Sequence, residues 1–315
     1  MSVQQSFGYS LAAFEQPANT SQYIQRFTAE YIQRYELFIN VERYATIIGN
    51  FMRFCPPKGV TIAGIEAVCM FTSLSFFVDD QLENYDSRYL ESYQAILTGR
   101  RLPQSKPEQA LLELLNFAEA LSQSSQISQD SFRQHLSHYF AAQQWERDVV
   151  KRERYRFTEA DYRRYRPDAI ALLPYLALLK LAEHIDEQRF APLQKTQLVY
   201  LEQLSAKIAY LDNDLYSWES EQDEPTALNL VKVIKEQSGL SWQESLQRVI
   251  TLRNRTVEEF IHIRDAALAE ADAAELRRYI ELMEYAMTGN FEAMKQLKLN
   301  SLRYQLPANC LAAVA

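Results

Sequence analysis

Apolar side chains recur at three- and four-residue intervals through most of this chain, the spacing that aligns them on one face of an α-helix. Residues 21–54 show it first, with Tyr23, Phe27, Tyr31, Tyr35, Leu37 and Phe38 at helical spacing. The run Cys55-Pro56-Pro57-Lys58-Gly59 then breaks the pattern. An apolar run from Ile62 to Val78, carrying the single charge Glu66, predicts a buried core helix over 61–83. A short helix over 86–98 and a loop over 99–107 follow. The helical period returns over 107–121, 128–152, 174–184, 192–218, 227–236, 242–271 and 273–298. Ser128 to Asp130 and Ser241 are the expected N-caps. No strand-like alternation persists and no fixed-period repeat emerges. The pattern therefore predicts one all-α helical bundle of about ten helices over residues 21–315, behind a loose polar arm over 1–20.

Composition supports that architecture and narrows the function. The 315 residues are 47% hydrophobic and 23% charged, enough for a sizeable core. With 7 glycines and 10 prolines the chain is short of hairpin residues. A net charge of −8 argues against nucleic acid as a partner. Cys55, Cys69 and Cys310 are few, odd in number and unclustered, so they read as buried or free thiols in a reducing compartment. No secretory pattern is visible in residues 1–19, and the run from 62 to 78 ends in two aspartates. A cytoplasmic protein without stable membrane insertion is expected.

Two short stretches carry candidate chemistry. In Asn213-Asp214-Leu215-Tyr216-Ser217-Trp218-Glu219-Ser220-Glu221, the oxygen-bearing Asn213, Ser217 and Glu221 recur at i, i+4 and i+8. Each step of four rotates only ~40°, so all three share a helix face, spread over ~12 Å of axis. Helical side chains lean toward the N-terminus, which lets Glu221 reach back toward Ser217 and Asn213. An amide oxygen, a hydroxyl and a carboxylate suit a hard cation, Mg²⁺ above all. The plain alternative is a polar helix end entering an acidic loop. Earlier, Asp79 and Glu83 in Asp79-Asp80-Gln81-Leu82-Glu83 stand at i, i+4 at the end of the apolar run. Two acids so placed repel unless a cation lies between them, though a solvated helix end would also account for them.

Together these stretches resemble the paired metal motifs of class I terpene synthases, DDxx(D/E) early and NDxxSxxxE late. The resemblance runs roughly from Phe51 to Tyr304, and Ala227-Leu228-Asn229-Leu230-Val231 is similar to the family's short apolar continuation. It implies the isoprenoid synthase fold and a carbon–oxygen lyase. Such an enzyme ionises a linear prenyl diphosphate, farnesyl or geranylgeranyl, and cyclises the carbocation with release of diphosphate. It implies three Mg²⁺ ions, with Mn²⁺ as the alternative. Asp79 and Glu83 would be ligands on one side and Asn213, Ser217 and Glu221 on the other. Tyr162-Arg163-Arg164-Tyr165-Arg166 is similar to the segment holding the family's diphosphate-sensing arginine, which falls on Arg166, with Arg164 as the other register. The linker and effector positions then fall on Ala169 and Ile170, or one place off on Asp168. Arg303-Tyr304 resembles the family's C-terminal diphosphate-binding pair, with Asp80 expected to orient Arg303.

Aromatic faces stabilise cations, and Phe76, Phe77, Trp145, Tyr210, Trp218 and Phe291 are the candidate pocket aromatics, each equally suited to core packing. The other charges over residues 146–166 read as a solvated helix face, and His135 with His138 as ordinary helix residues. Two alternatives stay open, a prenyl-chain elongating synthase and a non-catalytic helical interaction protein. A homodimer fits either reading.

Overall fold

The computed structural model describes residues 13–83, 88–150, 158–223, 228–269 and 274–299, and among them every regular element is helical. The chain opens with α1 (Ala18–Arg34), α2 (Val41–Phe54) and α3 (Ile62–Glu83). It continues through α4 (Arg88–Leu97), α5 (Lys106–Ser125), α6 (Asp130–Val150), α7 (Glu159–Ala169) and α8 (Leu172–Ala182). It closes with α9 (Pro192–Glu221), α10 (Leu230–Ser238), α11 (Trp242–Ala269) and α12 (Ala274–Leu299).

Two elements exceed the expected set. The periodic stretch 21–54 is two helices, because the chain turns at Glu36 in the left-handed region (φ 53°). The Leu37 amide closes α1 on the Ile32 carbonyl at 3.1 Å, and the Asn40 side chain caps α2 through the Arg43 amide at 3.0 Å. Without a glycine at the turn, periodicity ran through it. The second addition is α7, which buries little beyond Tyr162 and Ala169 and so shows no apolar stripe. A Thr158–Asp161 capping box starts it, each side chain receiving the other's backbone amide. The expected arm is in part anchored. The Gln16 side chain donates to the Pro56 carbonyl at 2.9 Å, and its amide donates to the Arg53 carbonyl at 2.8 Å.

Helix α3 packs on α1, α2, α5, α6 and α8. The segment Ile62–Asp80 is long and apolar enough to cross a membrane, but its place is the bundle centre, with 67% of it buried. A second apolar cluster joins Tyr162 of α7 and Tyr210, Leu211 and Leu215 of α9 to α10 and α11. An ion pair buried to about 1% exposure crosses from α9 to α11, where Arg253 Nε donates to Asp212 Oδ1 at 2.8 Å. Asp212 immediately precedes Asn213, so this pair fixes the helix end from which the second motif projects. Helix α12 closes the bundle against α2 and α9.

Candidate active site

A cavity of about 520 Å³ opens where α2, α3, α6, α7, α8, α9 and α12 converge. Asp79 and Asp80 reach it from α3, Arg166 from α7, and Asn213 and Glu221 from α9. Five residues singled out in sequence thus meet on one wall system. Tyr44 of α2 stacks on Phe38 with ring centres 3.7 Å apart and donates its hydroxyl to Asp80. Glu83 is the last residue of α3, and its side chain lies outside the described residues.

The α9 end is organised around Asp214, which is fully buried. It accepts from the Tyr162 hydroxyl, from the Leu230 amide at 2.6 Å and from Arg166 Nη2 at 3.2 Å. Burial pushes its carboxyl up, and Arg166 acts against that push. The same Arg166 nitrogen donates to Asn213 Oδ1 at 2.9 Å. Arg166 Nε has no hydrogen-bond partner among the described residues. Arg164 instead is exposed and lies over the Tyr165 ring.

One residue escaped sequence reasoning although it sits in the quoted continuation. Asn229 caps α10 with its Oδ1 on the Val231 amide at 2.9 Å. Its Nδ2 donates to the Asp214 carbonyl at 2.9 Å, to Ser217 Oγ at 3.3 Å and to Glu221 Oε2 at 2.9 Å. Ser217 is buried and turned to this amide, and Ser220 stands at the cavity wall instead. The helix period places Ser217 correctly on the face but says nothing of the neighbour that covers it.

The aromatic expectations need correction. Phe76 lines the cavity, whereas Phe77 is buried edge-to-face against Tyr89 at 5.0 Å. Trp145 stacks on Tyr165, Tyr210 packs in the second cluster, Trp218 meets Trp242, and Phe291 sits edge-on to Tyr216. None of these five is on the cavity wall, where Tyr44, Phe51, Phe71, Tyr139 and Tyr175 stand with Phe76. Arg303 and Tyr304 lie outside the described residues. Ala169 and Ile170 line the cavity.

Glu146 is the second residue missed. It is half-buried on α6 and faces the cavity. Burial pushes its carboxyl up to about 7, reinforced by the charges of Asp79, Glu221 and Asp214 and opposed by Arg166. Glu221 is likewise pushed up to about 7 by burial and by Asp214. Among the described residues no three His, Cys, Asp or Glu side chains form a ready-made metal cage. The donors are nonetheless all oxygen, and burial pushes two of the carboxyls up. That set fits a hard divalent cation completed by water and phosphate oxygens.

A family model for the terpene synthase family 2 C-terminal metal-binding region matches residues 70–259, which contain Asp79, Asp80, Glu146, Arg166, Asn213, Ser217, Glu221 and Asn229. The chain belongs to this terpene synthase family. Tsukubadiene synthase of Streptomyces tsukubensis is 28% identical over 82 residues, 26% of this chain and 24% of that protein. Spiroviolene synthase of Streptomyces violens is 29% identical over 120 residues, 38% of this chain and 33% of that protein. The chain thus matches a third or less of these two relatives' lengths. The fold is shared with 2-methylisoborneol synthase from Streptomyces coelicolor A3(2), solved with Mg²⁺ and geranyl-S-thiolodiphosphate. The TM-score is 0.79 at 15% identity, covering 95% of this chain and 97% of that one.

The carboxyls of this family member make its stability depend on pH. A carboxyl whose pKa is raised from 4.5 to about 7 on folding binds its proton more tightly folded than unfolded. Stability therefore falls as pH rises through that window and levels off above it. Each of the two carboxyls is partly solvated, so the expected loss is on the order of 1 kcal/mol each. Melting in chelator at pH 5.5 and pH 8 should show the lower midpoint at pH 8, with a smaller gap in Glu146→Gln. An equal gap in that variant would remove Glu146 from the account.

Proposed function

We propose that this chain is a Mg²⁺-dependent terpene cyclase acting on farnesyl or geranylgeranyl diphosphate. The observation that carries the reading is the double use of one arginine. Arg166 joins Asn213 to Asp214 at a cavity that also receives Asp79, and whose wall carries Phe51, Phe71, Phe76, Leu172 and Leu228 beside polar groups such as Thr72, Gln143 and Asn290. Charged groups and aromatic side chains on one cavity wall suit a ligand that has a diphosphate at one end and a hydrocarbon chain at the other.

Asp79 would hold cations from the α3 side, and Asn213, Ser217 and Glu221 from the α9 side. Bound Mg²⁺ would supply the positive charge that a departing diphosphate requires. Arg166 adds a guanidinium at the cavity wall, where a phosphate oxygen would meet a fixed positive charge. Tyr44 keeps Asp80 turned by donating to its carboxylate. Breaking the carbon–oxygen bond leaves its electron pair on diphosphate and an allylic cation on the chain. Phe51, Phe71, Phe76, Tyr139 and Tyr175 would exclude water and present ring faces to that cation.

The test is incubation of the purified protein with Mg²⁺ and, separately, geranyl, farnesyl and geranylgeranyl diphosphates, followed by gas chromatography–mass spectrometry and diphosphate release. A cyclic product from one of them is expected, abolished by chelator and lost in Asp79→Ala and Asn213→Ala. Longer linear products on adding isopentenyl diphosphate would move the assignment to chain elongation. No diphosphate release from any substrate would end the enzyme reading.

A further inference from the structure

The cavity wall between α7 and α8 contains the least ordinary backbone at the site. Ala169, Ile170 and Ala171 all line the cavity, and Ala171 is left-handed (φ 63°, ψ 8°), a conformation costly for a residue with a Cβ. Pro167 follows Arg166 directly, so one helical amide is missing just before the break. The Ile170 amide donates to the Arg166 carbonyl at 3.0 Å, which ties the wall segment to the arginine bound to Asn213 and Asp214.

A side chain from a different helix holds this segment. Gln143 of α6 donates its Nε2 to the Ala169 carbonyl at 3.1 Å, satisfying an acceptor that the end of α7 would otherwise leave open. Gln143 is 4% exposed and lines the cavity, and its Oε1 has no hydrogen-bond partner among the described residues. A buried amide with one half unsatisfied is a poor choice for packing alone, where an apolar residue of the same length would cost less.

We propose that Gln143 is a positioning residue for the cavity reaction, fixing the Ala169–Ala171 wall relative to Arg166 by holding the Ala169 carbonyl from α6. The inference rests on the reading of the cavity as a prenyl diphosphate site. Arg166 binds the leaving group in that reading, and the wall attached to it is where the freed chain folds. Without the Gln143 bond, Ala171 relaxes out of its left-handed conformation and the wall shifts against the chain.

Gln143→Met keeps length and volume and removes the donor. In the presence of Mg²⁺ and the accepted prenyl diphosphate, kcat should fall about 10- to 100-fold, as displacements of an ångström do, while KM stays near the parent value. Uncyclised alcohol should rise in the product mixture. Heat stabilisation by Mg²⁺ with inorganic diphosphate should be unchanged, because the binding groups are intact. Parental kcat and product ratios in Gln143→Met would overturn the inference. If that variant does not fold, Gln143→Glu replaces it, since a carboxyl donates to Ala169 only when protonated. Its kcat relative to the parent should then recover as pH is lowered, and a ratio independent of pH would overturn the inference equally. Failure of the parent itself to release diphosphate is a different result, which removes the cyclase reading and this inference together.

Discussion

Gly289→Ala is expected to destabilise the protein by about 3 kcal/mol or more, the upper end for overpacking in a core. A Cβ at this position of α12 would stand 2.2 Å from the Phe54 carbonyl oxygen, 2.4 Å from its carbon and 2.6 Å from Cys55 Cα. All three are main-chain atoms at the end of α2, so no side-chain rotation relieves the contact. Alanine is the better helix former by about 1 kcal/mol, and that gain is smaller than the clash. Helices α2 and α12 must separate, which moves Phe51, Met52 and Cys55 on the cavity wall. Thermal melts should show a drop of about 6 °C or more, given that 1 kcal/mol is worth about 2–4 °C in a domain somewhat smaller than this one. A midpoint within a degree of the parent would mean that the two helices do not approach as described.

Arg166→Lys should reduce kcat about 100-fold or more while leaving a folded protein. Lysine retains the charge beside buried Asp214, which also keeps the Tyr162 hydroxyl and the Leu230 amide. The shorter lysine cannot place its ammonium where Arg166 Nη2 meets both Asn213 and Asp214. Arg164→Lys is the control, since that side chain is exposed and lies on Tyr165. Single-turnover assays should leave the Arg164 variant near the parent. Equal losses in the two variants would mean that general positive charge, and not the Arg166 geometry, is what the site uses.

The parts of the site that were legible in sequence are those whose geometry is local. Asn213, Ser217 and Glu221 are related by the helix period alone, so their common face could be read before any packing was known. Asp79 and Asp80 end an apolar run that had to be buried. The cavity aromatics were a different matter. Helix α3 is apolar on every side, so period could not separate Phe76, which meets the cavity, from Phe77, which meets Tyr89. Glu146 lay hidden among the charges of residues 146–166, where only the packing of α6 distinguishes it from a solvated neighbour. Asn229 passed unnoticed in a short apolar continuation because its three acceptors belong to another helix. The turn at Glu36 lacked glycine, the residue by which such turns are recognised.

The closure of α2 against α12 also bears on synthesis at the ribosome. Asn50 donates to the Ala293 carbonyl at 2.9 Å, and Phe54 touches the one glycine of α12. Partners so far apart in the chain cannot meet until synthesis has passed α12, while the helical hairpins before them can form during translation. The cavity is therefore complete only once α12 is in place. A nascent chain stalled before α12 has helices but leaves the apolar faces that α12 covers exposed, and truncated forms ending there should bind hydrophobic-surface dyes.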